Sequence, residues 1–124
     1  MNGYVYILTN EAMPGLIKIG RTCRSVEIRA EELWQTGVPV PFSIFTKVGA
    51  IDCVELERDL HQALWKRRLV KSREFFRCDP DYAEGLLRQL MQVQIEQWLS
   101  NMDTGLCAIT LAEYMAMRAE GCAA

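Results

Sequence analysis

The chain lacks the features that mark membrane, secreted and zinc-knuckle proteins. None of its apolar runs reaches the roughly 18 residues that a membrane span needs, and its first residues do not show the pattern of a signal peptide. The five cysteines are odd in number and are never spaced as C-x-x-C, so neither a disulfide framework nor a zinc knuckle is indicated. We therefore expect a cytoplasmic protein with mostly buried, reduced thiols and no membrane partner.

An excess of positive charge and low-complexity tracts are also missing. The net charge of −2 argues against a nonspecific, strongly cationic nucleic-acid binder, because phosphate contacts need local lysine or arginine. The sequence contains neither a zinc-ligand spacing nor a helix-turn-helix pattern. We therefore expect no separate DNA-recognition domain. Half of the 124 residues are hydrophobic and 24% are charged, which predicts one globular domain with a substantial core.

Positive charge is concentrated in one short stretch of this acidic chain. The stretch is a candidate DNA-binding patch, since clustered cations are what a phosphate backbone attracts. Its members are Lys66, Arg67, Arg68, Lys71 and Arg73.

The N-terminal segment predicts a β-hairpin with unusually polar side chains. Residues 3–8 and 16–22 are rich in β-branched and aromatic residues, and the break between them contains Asn10, Pro14 and Gly15. Tyr4 and Tyr6 share one face of the first strand because side chains alternate with a period of two. Lys18 stands among isoleucines on the second strand, so both strands carry more polar groups than a core hairpin requires.

The remaining pattern predicts a mixed fold of the α/β (α+β) class. It has a small three-stranded antiparallel sheet flanked by helices. We expect residues 1–80 to form the core and residues 81–124 to form a C-terminal helical extension packed on it. The last helix carries methionines and tyrosine that pack on the domain or form a homodimer or a protein contact. The predicted elements are a helix from Ser25 to about residue 34, a strand over 42–48, a helix from Asp52 to about 67, an extended piece at 73–77, a helix from Asp79 to about 98, and a last helix from Thr110.

Two charged residues fall inside apolar helical seams. Arg29 lies three residues after Val26 and four before Leu33, and Glu57 lies four after Cys53 and three before Leu60. A buried guanidinium costs several kcal/mol unless it is paired, so Arg29 indicates either an internal ion pair or a phosphate site. Glu57 is either a structural partner of Arg29 or Lys18, or a ligand for a hard metal ion.

Taken in order, these residues resemble the GIY-YIG nuclease superfamily. Tyr4-Val5-Tyr6 and Lys18-Ile19-Gly20 are similar to its two motif strands, Arg29 to the arginine of its first helix, and Glu57 to its metal-binding glutamate. The resemblance is closer to the phage and bacterial T5orf172 (MUG113-like) branch. It is carried by Met13-Pro14-Gly15-Leu16-Ile17-Lys18-Ile19-Gly20, Thr36-Gly37-Val38-Pro39, Leu56-Glu57 with Leu60-His61, and Arg73-Glu74-Phe75-Phe76.

The resemblance implies hydrolysis of a DNA phosphodiester with one divalent ion, Mg²⁺ or Mn²⁺. Glu57 would hold the ion and Arg29 would neutralise charge that develops on the phosphate. Tyr6, with Tyr4 as the second candidate, would take a proton from the attacking water or relay it. We expect Lys18 to lower the pKa of Tyr6, because a phenol with its usual pKa of about 10 is a poor base at neutral pH.

The chain also departs from the family pattern. Lys18 occupies the place of the second tyrosine of the family name, so as a candidate catalytic residue it is a base, a phosphate contact or the group that tunes Tyr6. Leu33 stands where many members carry histidine or tyrosine. His61 is a candidate catalytic residue that compensates for Leu33. The late polar position of the family corresponds to Glu74 or Ser72. Accessory roles are assigned to Gly20, Arg21 and Glu74.

Two functions follow from this sequence. The first is a metal-dependent DNA endonuclease, favoured by the joint presence of Tyr6, Arg29 and Glu57. The second is a catalytically weak or inactive module that binds DNA or protein in a regulatory role, for example in conflict between phage and host. Leu33 and the net negative charge favour the second. Without a recognition domain, a catalytic module should bind DNA weakly or depend on a partner.

Overall fold

A computed structural model describes residues 1–101 of the chain, and the helix expected from Thr110 lies outside the described residues. The expected α+β class, with a small antiparallel sheet flanked by helices, is confirmed. The elements are β1 (Gly3–Thr9), β2 (Leu16–Thr22), α1 (Val26–Glu32), β3 (Ser43–Ala50), α2 (Cys53–Ala63), β4 (Phe75–Arg77) and α3 (Pro80–Ser100). The sheet has four strands in the order β3-β1-β2-β4.

The expected strand count of three is wrong because the extended piece before α3 joins the sheet. This piece, β4, pairs antiparallel with β2 over three residue pairs, from Leu16 opposite Arg77 to Lys18 opposite Phe75. Beyond Lys18 the pairing of β4 ends, apart from one hydrogen bond from the Ile19 amide to the Glu74 carbonyl at 3.1 Å. The C-terminal half of β2 therefore forms a sheet edge that β4 does not cover.

Alternating side chains give the sheet two apolar faces, and helices cover both. One face, which includes Ile7 and Ile19, packs against α2 and α3 in the main core. The other face carries Tyr6 and Leu8 and packs against Val26 and Ala30 of α1. Burial on both faces explains why β1 is almost continuously apolar rather than alternating.

Each helix begins at the capping residue that the sequence predicts. Ser25, Asp52 and Asp79 all adopt extended backbone conformations, and their side chains accept hydrogen bonds from amides of the first turn. The second helix ends earlier than expected. At Leu64 the backbone leaves the α conformation and tightens into a 3₁₀ turn over Trp65–Arg67, so the basic stretch lies on this turn and on the loop that follows.

The third helix contributes directly to the core. Ala83 and Leu87 are fully buried in the same cluster as the β1 and β2 side chains. Ala83 and Leu87 therefore pack α3 on the preceding elements, while the division into a core of residues 1–80 and an extension of residues 81–124 stays a prediction.

Three of the five cysteines lie in the part of the chain that the structure describes. Cys53 and Cys78 are free and buried, and Cys23 is free and exposed. Burial raises the pKa of the Cys53 thiol to about 11, which keeps it protonated. Within residues 1–101 no helix combines the length and apolar character that crossing a membrane requires.

Candidate active site

A polar cleft lies at the uncovered edge of β2. Its volume is about 210 Å³. Five elements or loops meet there, each contributing one side chain: β1, β2, α1, α2 and the residue before β4. The lining residues are Tyr6, Arg21, Arg29, Glu57 and Glu74.

Tyr6 reaches the cleft because Gly20 leaves room for its ring. The two residues are directly opposite each other in the β1–β2 ladder. A Cβ atom added to Gly20 would lie 2.6 Å from Cζ of Tyr6, closer than any carbon contact allows. Tyr6 is 1% exposed, so glycine at position 20 lets a buried aromatic ring cross the strand and present its hydroxyl to the cleft.

The hydroxyl of Tyr6 has Arg29 as its cationic partner. Burial raises the pKa of Tyr6, and the hydrogen bond donated by Arg29 opposes that rise without cancelling it. The expected lowering of this pKa by Lys18 is wrong. The phenol of Tyr6 therefore keeps its proton at neutral pH.

Arg29 lies at the rim of the cleft rather than deep in the core. Its side chain is 40% exposed, and Nη1 is 3.7 Å from Oε1 of Glu32, one turn further along α1. Val26 and Ala30 fill the buried stripe of α1 beside it. The ion pair of Arg29 is therefore an exposed one on its own helix and not an internal one, and the phosphate site stays a prediction.

Glu57 is the buried carboxylate of the cleft. Its side chain is 14% exposed, and its ion pair is with Arg21, whose Nε lies 3.7 Å from Oε1. Burial, followed by repulsion from Glu74, raises the pKa of Glu57 to about 7, although Arg21 and Lys18 oppose the rise. The structural partner of Glu57 is therefore Arg21, and not Arg29 or Lys18 as expected.

Glu74 brings a second carboxylate to the cleft. The backbone holds it in place, because its carbonyl accepts the amide of Ile19 where the β2–β4 ladder ends. One carboxylate oxygen lies 3.4 Å from Nζ of Lys18. Of the two candidates for the late polar position, Glu74 lines the cleft.

Comparison with protein families covers the region that builds this cleft. Residues 3–91 match the model of the T5orf172 domain, which is most of the chain. The chain belongs to the T5orf172 family. Neither a curated protein nor a solved structure matches it. The T5orf172 region runs from β1 into α3 and contains all five residues of the cleft.

Three other candidate residues of the T5orf172 domain lie outside the cleft lining. His61 places Nε2 3.1 Å from the carbonyl oxygen of Ile19, so this nitrogen carries a proton and donates it. Burial lowers the pKa of His61, which keeps the ring neutral and fastened to β2. The ring of Tyr4 is 5.9 Å from Nζ of Lys47, and it packs beside the α1 cluster. Lys18 lies on the far side of its ion pair with Glu74.

The basic stretch is only partly directed toward the cleft. Lys66 and Arg67 lie over the rings of Trp65 and Tyr82, respectively. Arg68 is half-buried, donates Nε to the carbonyl of Arg73 at 2.8 Å, and acts on the pKa of Glu57. Lys71 is exposed on the same loop. Positive charge therefore extends from the 3₁₀ turn to the loop that ends at Glu74.

The donor set of the cleft fits a hard, hydrated cation. Mg²⁺ prefers oxygen ligands, retains several waters and is commonly held by one or two carboxylates. Glu57 and Glu74 repel each other, and a bound cation would relieve that repulsion. Among residues 1–101 no group of three or more histidine, cysteine, aspartate or glutamate side chains is arranged to hold a metal ion.

Sequence reasoning undervalued Arg21, although a signal for it existed. Arg21 follows Ile17 and Ile19 at a spacing of two, which places it on the face of β2 that α2 covers. A cation at that position needs an anionic partner on α2, and Glu57 provides the carboxylate.

Proposed function

We propose that this T5orf172 domain is a GIY-YIG-type endonuclease that hydrolyses DNA phosphodiesters with one divalent ion, Mg²⁺ or Mn²⁺. The observation that supports the proposal is the convergence of Tyr6, Arg29 and Glu57, from three separate elements, on one polar cleft. A cleft lined by two carboxylates and two guanidinium groups suits a metal ion and a phosphate bound together.

The carboxylates would bind the metal ion, and Arg29 would bind the phosphate. Glu57 would hold the ion, with Glu74 beside it, and the ion would polarise the phosphate and stabilise the leaving oxygen. Arg29 would donate hydrogen bonds to the phosphate oxygens, where negative charge grows as the bond breaks. Arg21 would keep the Glu57 carboxylate oriented through their ion pair.

Tyr6 would act as a proton relay. Its raised pKa leaves the phenol protonated at neutral pH, so it is not a ready base. A protonated phenol can accept a proton from the attacking water only if it gives its own to a second acceptor, and the Glu74 carboxylate lines the same cleft. The guanidinium of Arg29 would hold the hydroxyl in position.

The second candidate function is a module that binds DNA or protein with little catalysis. The observation that favours it is the protonated state of Tyr6, together with Leu33 at a position where a more polar residue would assist chemistry. Such a module would contact phosphates through the basic stretch between Lys66 and Arg73.

A supercoiled plasmid incubated with Mg²⁺ or Mn²⁺ separates the two functions. The endonuclease should nick or linearise the plasmid, whereas Glu57→Gln and Arg29→Ala should lose at least about a hundredfold of the rate. Arg88→Ala serves as the control, since this arginine lies on α3 and pairs with Glu84. An intact plasmid with wild-type protein under both metals would count against the nuclease. Equal cutting by wild type and the Glu57 and Arg29 variants would indicate a contaminant.

A further inference from the structure

A second cavity adjoins the active-site cleft. Its volume of about 380 Å³ lies in the range of small-ligand sites. Lys18 lines this cavity and Glu74 lines the cleft, and the two side chains form an ion pair at 3.4 Å. The two sites are therefore neighbours linked by this ion pair.

The walls of this aromatic cavity are flat and apolar. Phe42 and Phe75 contribute rings whose centroids are 6.4 Å apart at an angle of 32°. Leu33 and Val38 complete the apolar lining, and Gln35 adds one amide group. Aromatic and aliphatic walls beside a hydrogen-bonding amide are suited to a planar heterocycle.

Two cations stand at the aromatic cavity. Nζ of Lys18 lies 4.9 Å from the centroid of the Phe75 ring, and the guanidinium carbon of Arg73 lies 5.6 Å from it. The Lys18 side chain is only 12% exposed, so its charge is directed into the protein rather than toward bulk water. Positive charge therefore accompanies the apolar walls, as a ligand that joins a ring to a phosphate would require.

We propose that the aromatic cavity is a subsite for an unpaired nucleobase of the DNA strand whose phosphate occupies the cleft. A nucleotide links a planar base to a phosphate, and one member of the Lys18–Glu74 ion pair lines each of the two spaces that would hold them. The inference rests on the proposed function, since it presupposes a phosphate in the cleft. It assigns Lys18 to the junction, where its ammonium would face the backbone between base and phosphate.

Gly37 offers a way to fill the aromatic cavity without disturbing the cleft. It lines the cavity, and an added Cβ there would meet no atom within 4 Å. Leucine at this position occupies space and offers no ring for stacking, so Gly37→Leu is the blocking variant. Gly85→Leu is the matched control, because Gly85 is exposed on α3 and its Cβ position is equally open. Phe42→Leu, a second variant, removes an aromatic wall while keeping an apolar side chain.

The experiment compares two fluorescent single strands of equal length by anisotropy in EDTA. One strand carries all its bases and the other is abasic at every position. Wild type and Gly85→Leu should bind the base-bearing strand roughly tenfold more tightly, as expected for one stacked base. Gly37→Leu and Phe42→Leu should lose this preference and bind the abasic strand as wild type does. Circular dichroism spectra verify that each variant is folded.

The outcomes separate this inference from the proposed function. Equal wild-type affinity for the two strands, or an unchanged preference in both cavity variants, would overturn the nucleobase subsite. Binding of duplex DNA alone, with plasmid cleavage intact, would also overturn it while leaving the endonuclease in place. Failure to bind any DNA, with no plasmid cleavage, would remove both proposals together.

Discussion

Glu57 is a carboxyl group whose charged form the folded protein disfavours. Its pKa rises from an ordinary 4.5 to about 7, first because the side chain is buried and then because Glu74 is near. A binding cleft that holds two repelling carboxylates is less stable than an apolar packing of the same space, and functional sites often carry such a cost. The cost of this cleft should therefore be measurable as a difference in the free energy of unfolding, without an activity assay.

The first prediction concerns the pH dependence of stability. Between pH 4.5 and about 7 the folded protein binds the Glu57 proton more tightly than the unfolded chain does, so this contribution is present at low pH and is lost as pH rises. The rise in pKa corresponds to about 3 kcal/mol of unfolding free energy lost by pH 8. Glu57→Gln, which stays neutral, should thus be the more stable protein at pH 8 and should gain little at pH 4.5. Urea titrations at both pH values measure the difference.

Glu27 provides the opposite control for that measurement. Lys47 lowers the pKa of this exposed carboxyl to about 2, so its ionised form is the favoured one. Glu27→Gln should therefore bring no gain in stability at pH 8. An equal gain from the two substitutions, or none from Glu57→Gln, would contradict the assigned origin of the Glu57 shift.

The second prediction compares the effect on stability of alanine substitutions at two glycines. Gly20→Ala should destabilise the protein by about 1–3 kcal/mol, because the new methyl group overlaps the Tyr6 ring and neither can move freely. Gly37→Ala should be neutral or slightly stabilising, since its Cβ enters open space and alanine restricts the unfolded chain. Thermal unfolding of both variants tests the claim. Equal effects would mean that the ring of Tyr6 does not lie across Gly20.

The secondary-structure elements differ in how far local sequence predicts them. Helix starts at Ser25, Asp52 and Asp79 were predictable because a cap acts within one turn. The strand Phe75–Arg77 was not, because three residues carry no periodicity and only pairing with β2 makes them a strand. The pairing of β4 with β2 also positions Glu74 at the cleft.

The third prediction concerns α3 as a part of the core. Leu87 is fully buried against the same cluster as β1 and β2, so Leu87→Ala should cost about 2–5 kcal/mol of unfolding free energy. Val93 lies on the same helix but is 48% exposed, and Val93→Ala should change stability by less than about 0.5 kcal/mol. Denaturant unfolding compares them. A small effect at Leu87 would indicate that α3 attaches loosely to the sheet.

The molecule as a whole carries a negative net charge, yet its cations are unevenly spread. Arg68 and Arg73 lie on the loop that leads into the cleft, and Lys66 and Arg67 lie on the 3₁₀ turn before it. A domain with this distribution should bind DNA through few phosphate contacts and respond moderately to salt. The expected dependence on a partner or a homodimer, through residues beyond Asn101, stays a prediction.

The fourth prediction tests this basic stretch. Arg68→Gln and Arg73→Gln should each weaken duplex binding and reduce the slope of log affinity against log salt by about 1, as expected for the loss of one phosphate contact. Arg88→Gln, on α3, should leave the slope unchanged. Anisotropy titrations over a series of salt concentrations provide the slopes. Unchanged slopes for both variants would place the DNA path elsewhere on the surface.

The sequence alone predicted the hairpin, the helix starts and the α+β class, because alternation, capping and turn chemistry act between neighbours in the chain. It also singled out Tyr6, Arg29 and Glu57 as polar groups in apolar patterns. Only the tertiary structure decided their partners: Arg29 for Tyr6, Arg21 for Glu57 and Glu74 for Lys18. Those pairs join residues as many as 56 positions apart, and such distances are closed by sheet order and helix packing, which no local pattern specifies.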